Sequence, residues 1–230
     1  MKRGVLILHG FSGGPYELEP FLTFLHERTN WIIETPTFCG HGEELSMHGY
    51  KAEHWLMDAE IAYRKLAKKV DEVVVIGFSM GGVIALYIAK RYSVKKLVLL
   101  SAAVKYMGPA QLMKDLRIMA REAVNGHLKD NELFQRYEYQ LRHVPLSATV
   151  EFTRVVKKVE PYIGFIEVPT FIVQGEKDSV VPSITAQFLY DQLKANEKHI
   201  FLSANGEHHI CFSDDCEEWF FQVLDFLQAP

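Results

Sequence analysis

The sequence predicts an α/β protein in which a mostly parallel sheet of about six strands is flanked by helices. Six short apolar segments, most of which end in Gly, Pro or Ser, alternate along the chain with segments of helix length. Such alternation is typical of parallel strands that are joined by helical crossovers. With 230 residues, 48% of them hydrophobic, the chain is long enough to form one domain with a sizeable core.

The predicted strands are short and rich in aliphatic residues. They span residues 5–9, 32–36, 72–76, 96–101, 170–174 and 199–203. The predicted helices span residues 16–28, 55–68, 80–92, 184–193 and 216–227. The third strand contains the continuous apolar run Val-Val-Val-Ile, as expected for a strand that is buried on both faces of a parallel sheet.

The interval between the fourth and fifth strands is longer than a crossover requires. Residues 101–170 contain no convincing strand, although a crossover needs little more than about a dozen residues. We therefore divide the chain into a core domain, residues 1–103 and 166–230, and a helical insertion, residues 104–165. The insertion is either a subdomain that packs on its own Met and aromatic residues or a cap over the carboxyl edge of the sheet, where α/β proteins bind ligands.

The composition restricts the class of partner. The formal net charge is −4 and Lys and Arg are not clustered, which argues against nucleic acid or an anionic membrane surface. No apolar segment is long enough to span a bilayer, and the apolar run near the N-terminus is too short for a signal peptide. We therefore expect a cytoplasmic protein that acts on a small molecule. The three cysteines, Cys39, Cys211 and Cys216, lack metal-ligand spacing and are expected to be free thiols.

The segment VVVIGFSMGGVIALYIAKRY, residues 73–92, contains the most informative motif. Ser79 lies where the apolar strand is followed by a helical pattern, and Gly77 and Gly81 flank it in the order G-x-S-x-G. Small residues at these two positions allow a sharp turn between strand and helix, which exposes the serine hydroxyl as a nucleophile. The alternative interpretation is a serine that only caps the helix beginning at Met80.

A serine nucleophile also needs donors for the negative charge that develops on a carbonyl oxygen. The first strand is followed by Gly-Phe-Ser-Gly-Gly, residues 10–14, where small residues would let the backbone amide of Phe11 approach a bound oxygen. The amide of Met80, at the start of the next helix, would supply the second donor. The alternative interpretation is a phosphate-binding loop, but this segment lacks the P-loop lysine and the dinucleotide glycine spacing.

Candidates for the general base, and for the acid that orients it, follow the last two strands. Asp178 lies after the fifth strand, although an aspartate before Val-Val-Pro could also bind only local backbone amides. His208 and His209 are adjacent in the loop after the sixth strand. The chain order Ser, Asp, His is the order expected when a G-x-S-x-G serine belongs to a catalytic triad.

With these residues in place, the chain resembles the α/β-hydrolase superfamily, and within it the small bacterial carboxylesterases and monoacylglycerol lipases. Five segments carry the resemblance in order: LILHGFSGG, PTFCGHGEE, VVVIGFSMGGVIAL, PTFIVQGEKDSVVP and GEHHICFSDD. The resemblance implies that Ser79 is the nucleophile, Asp178 the triad acid and His208 the base. It also implies that Phe11 and Met80 are the oxyanion donors.

Two features depart from this family pattern. His209 occupies a position where relatives carry an apolar residue, so His209 remains an alternative base. Relatives usually carry strands before the His-Gly strand, whereas only residues 1–4 precede it here. We therefore expect a shortened sheet of about six strands, with residues 5–9 still internal to it.

The function implied by the resemblance is hydrolysis of carboxylic esters, with short to medium acyl chains or a monoacylglycerol as substrate, through an acyl-enzyme. Such an esterase needs no metal and no organic cofactor. One alternative is a thioesterase or another hydrolase with the same triad, because the fold and the triad do not fix the leaving group. Another is a binding protein that keeps the fold without turnover.

Overall fold

The structure, a computed structural model, describes residues 1–105 and 144–229. Its centre is a six-stranded sheet with the strand order β2-β1-β3-β4-β5-β6, in which all neighbouring strands are parallel. The strands are β1 (Arg3–Leu8), β2 (Ile32–Glu34), β3 (Glu72–Phe78), β4 (Leu97–Leu100), β5 (Thr170–Gly175) and β6 (Lys198–Ser203). The predicted six-stranded parallel sheet is confirmed, and β1 is internal to it as expected.

Helices cover both faces of the sheet. They are α1 (Glu19–Arg28), α2 (Ala52–Ala67), α3 (Met80–Arg91), α4 (Leu146–Val159), α5 (Ile184–Gln192) and α6 (Cys216–Gln228), with short 3-10 turns at Pro15–Leu18, Glu160–Phe165 and Ile210–Phe212. Because successive strand residues point to opposite faces, β1 contributes to two cores. Leu6 and Leu8 pack with residues of α2, α3 and α4, whereas Val5 and Ile7 pack with residues of α1 and α6.

The predicted insertion lies only partly within the described residues. Residues 106–143 are outside them, and so is most of the segment predicted to form a cap. In the described remainder, α4 packs against α2 and α3 on one face of the sheet, and Phe152 of α4 is fully buried there. The division of the chain at residues 104–165 and the cap itself stay predictions.

The parallel arrangement brings the candidate residues to one edge of the sheet. Since all six strands run in the same direction, their carboxyl ends lie together. The loops that follow β1, β3, β5 and β6, each of which carries a candidate residue, therefore emerge at the same edge. This is the edge at which α/β proteins bind ligands.

Candidate active site

Ser79 occupies a strained turn between β3 and α3. Its backbone has φ 50° and ψ −115°, in the left-handed half of conformational space, which costs a non-glycine residue about 1–3 kcal/mol. The Ser79 N–H donates a hydrogen bond of 2.9 Å to the carbonyl of Leu100 at the end of β4. The Ser79 hydroxyl makes no capping hydrogen bond to α3, so the interpretation of this serine as a simple helix cap is wrong.

The glycines around Ser79 allow α3 to approach the sheet closely. A Cβ atom on Gly77 would overlap the Gly81 carbonyl, and a Cβ atom on Gly81 would overlap the carbonyl oxygen of Leu8 in β1. A Cβ atom on Gly82 would lie 2.6 Å from that of Ala102. Each of these side chains would push α3 away from the strands, so the glycines hold the turn in its sharp form.

His208 lies between Ser79 and Asp178. Its Nε2 is 3.0 Å from the Ser79 Oγ, and its Nδ1 is 2.9 Å from the Asp178 Oδ2. All three residues are buried. Because a carboxylate only accepts hydrogen bonds, the Nδ1–H donates to Asp178, and this tautomer leaves Nε2 free to accept the hydrogen bond of the Ser79 hydroxyl.

Asp178 is held by hydrogen bonds on both of its oxygens. Oδ1 accepts the backbone N–H groups of Val180 and Val181 at 2.8 Å each, and Oδ2 accepts the side-chain amide of Gln174 at 2.9 Å. Burial alone would raise the pKa of the Asp178 carboxyl, but the attraction of His208 and these backbone donors outweigh it, so the pKa lies below its usual value. The local-amide interpretation of Asp178 is therefore correct for one oxygen, while the other faces the imidazole.

Close packing of two loops sets the distance between Asp178 and His208. A Cβ atom on Gly175, at the end of β5, would overlap the carbonyl of Gly206 in the loop after β6. The N–H of Lys177 donates to that same carbonyl at 3.0 Å. The loops that carry the acid and the imidazole thus touch backbone to backbone.

The neighbouring His209 points elsewhere. Its Nε2 lies 3.5 Å from the Oε1 atom of Glu17, in the 3-10 turn that precedes α1. Of the two adjacent histidines, the structure brings His208, and not His209, between Ser79 and Asp178.

The amides of Phe11 and Met80 lie on the loop after β1 and at the start of α3. Met80 is the first residue of α3, and the first N–H groups of a helix have no partner within the helix. Within residues 1–105 and 144–229, neither the Phe11 N–H nor the Met80 N–H donates a hydrogen bond to another protein group. Both residues are buried, so these two N–H groups are unpaired donors within the described part of the chain.

Aromatic side chains surround Phe11. Its ring stacks on that of Phe152 in α4 at 5.2 Å and meets the rings of Trp55 and His41 edge to face. The imidazole Nε2 of His41 is buried and has no hydrogen-bond partner among the described residues. Burial lowers the pKa of His41 from 6.5 to about 3, so this ring is neutral.

The described residues hold no group of three or more His, Cys, Asp or Glu side chains that is arranged to bind a metal ion. Cys39, Cys211 and Cys216 are free thiols. Burial raises the pKa of the Cys39 thiol to about 12 and that of Cys211 well above its usual value, so neither is a reactive thiolate at neutral pH. None of the helices in the described ranges is both long and apolar enough to cross a membrane.

Sequence reasoning missed two residues that contact the site. Gln174, at the end of β5, donates to both Asp178 and the Val181 carbonyl. Glu17 accepts the N–H of Gly10 in the loop after β1. A polar residue within an apolar strand could have indicated Gln174, whereas Glu17 has the ordinary sequence context of an acidic residue at a helix start.

The chain is similar to known hydrolases. A family described as Serine aminopeptidase, S33, matches residues 2–215. The chain is 25% identical over 209 residues to a thermostable monoacylglycerol lipase of Bacillus sp. (strain H-257), covering 89% of this chain and 82% of the relative. It is 23% identical over 230 residues to a carboxylesterase of Bacillus subtilis (strain 168), covering 98% of this chain and 92% of the relative.

Solved structures share the fold. An esterase from Exiguobacterium antarcticum superimposes with a TM-score of 0.77 at 19% identity, covering 99% of this chain and 92% of the other. At this identity the similarity demonstrates a common architecture and carries no information on substrate.

Proposed function

The chain belongs to the family described as Serine aminopeptidase, S33, a group of esterase- and lipase-type α/β-hydrolases, and from this membership we propose that it hydrolyses carboxylic esters through an acyl-enzyme. The substrates we propose are esters of short to medium acyl chains or a monoacylglycerol, in the cytoplasm. Their support is the similarity to proteins named carboxylesterase and monoacylglycerol lipase.

In the proposed reaction Ser79 is the nucleophile and His208 the general base. The Ser79 Oγ attacks the ester carbonyl carbon while His208 Nε2 takes the hydroxyl proton, and Asp178 stabilises the imidazolium that forms. The carbonyl oxygen becomes an oxyanion that accepts hydrogen bonds from the N–H groups of Phe11 and Met80. The tetrahedral intermediate then collapses to the acyl-serine, and the imidazolium gives its proton to the departing alcohol.

Water completes the cycle. His208 removes a proton from a water molecule, which attacks the acyl-serine carbonyl. The second tetrahedral intermediate then collapses to the free acid while the imidazolium returns the proton to the departing Ser79 Oγ. Neither step requires an oxidant, a metal or an organic cofactor. The observation that carries the proposal is the unbroken path of hydrogen bonds from Ser79 through His208 to Asp178, at 3.0 and 2.9 Å.

A panel of nitrophenyl esters with acyl chains of about 2 to 16 carbons, with a monoacylglycerol and an acyl thioester beside it, tests this proposal. We expect ester turnover that Ser79→Ala lowers by roughly 10⁶-fold, the loss seen when a triad nucleophile is removed, without unfolding the protein. Turnover of the Ser79→Ala variant within tenfold of the parent would exclude Ser79 as the nucleophile. Faster turnover of the thioester than of any oxygen ester would favour a thioesterase, and a folded parent without turnover would favour a binding protein.

The two adjacent histidines provide a matched pair for the base. His208→Ala should abolish turnover, because no other imidazole lies between Ser79 and Asp178 in the described structure. The turnover of His209→Ala should stay within about tenfold of the parent, since the His209 side chain makes no hydrogen bond to Ser79 or Asp178. The reverse pattern would assign the base to His209, and retained activity in both variants would refute a histidine base in this loop.

A further inference from the structure

A buried carboxylate lies between the two loops that carry the proposed catalytic groups. We call residues 9–14 the oxyanion loop and residues 204–209 the histidine loop. Glu17 lies in the 3-10 turn Pro15–Leu18, and its side chain is only 2% exposed. A carboxylate in such a place is costly unless hydrogen bonds and nearby charges stabilise it, so its contacts identify what it holds in place.

The first contact of Glu17 is with the oxyanion loop. Its Oε2 atom accepts the backbone N–H of Gly10 at 2.7 Å, one residue before Phe11, whose N–H is a proposed oxyanion donor. A Cβ atom on Gly13 would overlap the Glu17 carboxyl group. The oxyanion loop therefore wraps around this carboxylate, which helps to fix the direction of the Phe11 amide.

The second contact of Glu17 is with the histidine loop. Its other oxygen, Oε1, lies 3.5 Å from the Nε2 atom of His209. The next residue towards the N-terminus is His208, and the Phe78 ring packs on both imidazoles, with ring centroids 5.1 Å from His208 and 5.5 Å from His209. A fixed His209 therefore restrains the adjoining backbone and the tilted ring contacts with Phe78 that help to position His208.

Besides His209, two titratable groups in residues 1–105 and 144–229 lie near Glu17, His9 and Cys211, and both are neutral. The Nδ1 atom of His9 is 3.9 Å from Oε2, but His9 Nδ1 donates to the Gly10 carbonyl at 2.8 Å while Nε2 accepts the N–H of Phe38 at 3.0 Å. These hydrogen bonds hold His9 as a neutral tautomer, and burial lowers its pKa. Burial also raises the pKa of Cys211, and the nearby Glu17 adds to this rise, so its thiol is neutral.

We propose that Glu17 is a positioning residue that fastens the oxyanion loop, through Gly10, to the histidine loop, through His209, and thereby sets the Phe11 amide and His208 around the ester carbonyl. The inference rests on the proposed esterase function and extends it. It also gives His209 a role, because the imidazole contacts a buried carboxylate that a hydrocarbon side chain at this position could not bind.

The test compares Glu17→Ala and Glu17→Gln with the parent by steady-state hydrolysis of nitrophenyl acetate. Alanine removes the acceptor for Gly10, and a displacement of catalytic groups by about 1 Å can cost ~10²-fold. We expect kcat to fall about 10²-fold with KM within about threefold, because positioning acts on the transition state rather than on ground-state binding. Glutamine keeps the shape and one acceptor oxygen, so kcat should recover to within about tenfold of the parent.

A second readout separates positioning from general destabilisation. A boronic acid that forms an adduct with the serine probes the oxyanion donors, so its inhibition constant should rise with Glu17→Ala in parallel with the fall in kcat. The matched control is Glu60→Ala. Glu60 is a mostly buried carboxylate between α2 and α3 that accepts the hydroxyls of Tyr87 and Tyr92, and its removal should lower the melting temperature while kcat stays within threefold.

Double-mutant cycles with His209→Ala keep the inference testable if Glu17→Ala does not fold. The kcat loss caused by Glu17→Gln should be at least threefold smaller in the His209→Ala background, because the fastening is already broken there. Independent effects of the two substitutions, or a Glu17→Ala kcat within threefold of an active parent, would overturn the inference. A parent that neither hydrolyses esters nor reacts with a fluorophosphonate would instead refute the proposed function.

Discussion

Replacing Asp178 with Asn changes one atom of the site and should remove most of its activity. The amide oxygen of Asn can still accept the N–H groups of Val180 and Val181, which bind Oδ1 at 2.8 Å. The amide NH₂ would then stand where Oδ2 accepts from His208 Nδ1 and from Gln174. The Nδ1–H of His208 would then face the amide NH₂, and two donors cannot bond to each other. The imidazole must therefore adopt its other tautomer, in which Nδ1 accepts.

That change of tautomer fixes the size of the effect. With the proton on Nε2, His208 can donate to Ser79 but cannot take its proton, so general-base catalysis is lost while the oxyanion donors remain. The same substitution in a serine protease triad lowers kcat by about 10⁴-fold, which corresponds to roughly 5 kcal/mol of transition-state stabilisation. We expect a loss of this order here, with KM changed by less than about threefold.

This loss is measured by the hydrolysis of nitrophenyl acetate by the parent and by Asp178→Asn. Circular dichroism checks that both proteins are folded. Asp215→Asn is the matched control, because Asp215 also follows β6 and accepts a buried hydroxyl, that of Ser203, at 2.6 and 2.8 Å, yet it makes no hydrogen bond to His208. A kcat of Asp178→Asn within tenfold of the parent, or equal losses in the two variants, would refute the tautomer argument.

Three further predictions follow from the packing and the pKa values. Gly81→Ala should lower activity at least about 10²-fold, because its Cβ would overlap the carbonyl of Leu8 and displace Ser79. Gly164→Ala is the control: its Cβ would have no neighbour nearer than 3.8 Å, so the free energy of unfolding should change by less than about 0.5 kcal/mol. The pKa of His41 is lowered from 6.5 to about 3, so below pH 6.5 the unfolded chain binds a proton that the folded chain does not. The free energy of unfolding should therefore fall by up to about 1.4 kcal/mol per pH unit as the pH drops below 6.5. His41→Asn should remove this contribution to the slope in denaturant titrations, and an unchanged slope would contradict the lowered pKa. Phe152→Leu, in α4 of the predicted insertion, should alter the preference for acyl-chain length more than the turnover of the acetate ester, whereas equal effects on all chain lengths would make α4 only structural.

The sheet could be predicted because each strand is an apolar run that ends at a residue poorly suited to continue it. The predicted strands differ from the observed ones at their ends. The third strand was predicted to stop before Gly77, but β3 continues to Phe78, since the missing Cβ of Gly77 is needed for the approach of α3 and not to break the strand. The second strand was predicted to reach Pro36 and ends at Glu34, at the edge of the sheet.

The first helix was predicted as one piece over residues 16–28. The chain instead forms the 3-10 turn Pro15–Leu18 and then α1, which begins at Glu19. Pro20, in the first turn of α1, has no N–H to donate back to Tyr16, so this element has to begin anew there.

The candidate site could be anticipated from order and topology, because Ser79, Asp178 and His208 each follow a strand whose carboxyl end lies at the same edge. The supporting contacts could not. Burial of Glu17 depends on the absence of a Cβ on Gly13 and on the approach of His209 from a loop nearly two hundred residues later. A local sequence pattern does not predict such a tertiary contact.

The most direct test of the account is to treat the folded protein with a fluorophosphonate, which reacts only with an activated serine, and to locate the adduct by peptide mass spectrometry. We expect a single adduct on Ser79, formed in His209→Ala at a rate within about tenfold of the parent, strongly slowed in His208→Ala and absent in Ser79→Ala. A folded parent that forms no adduct, or one that is modified at a different residue, would contradict it.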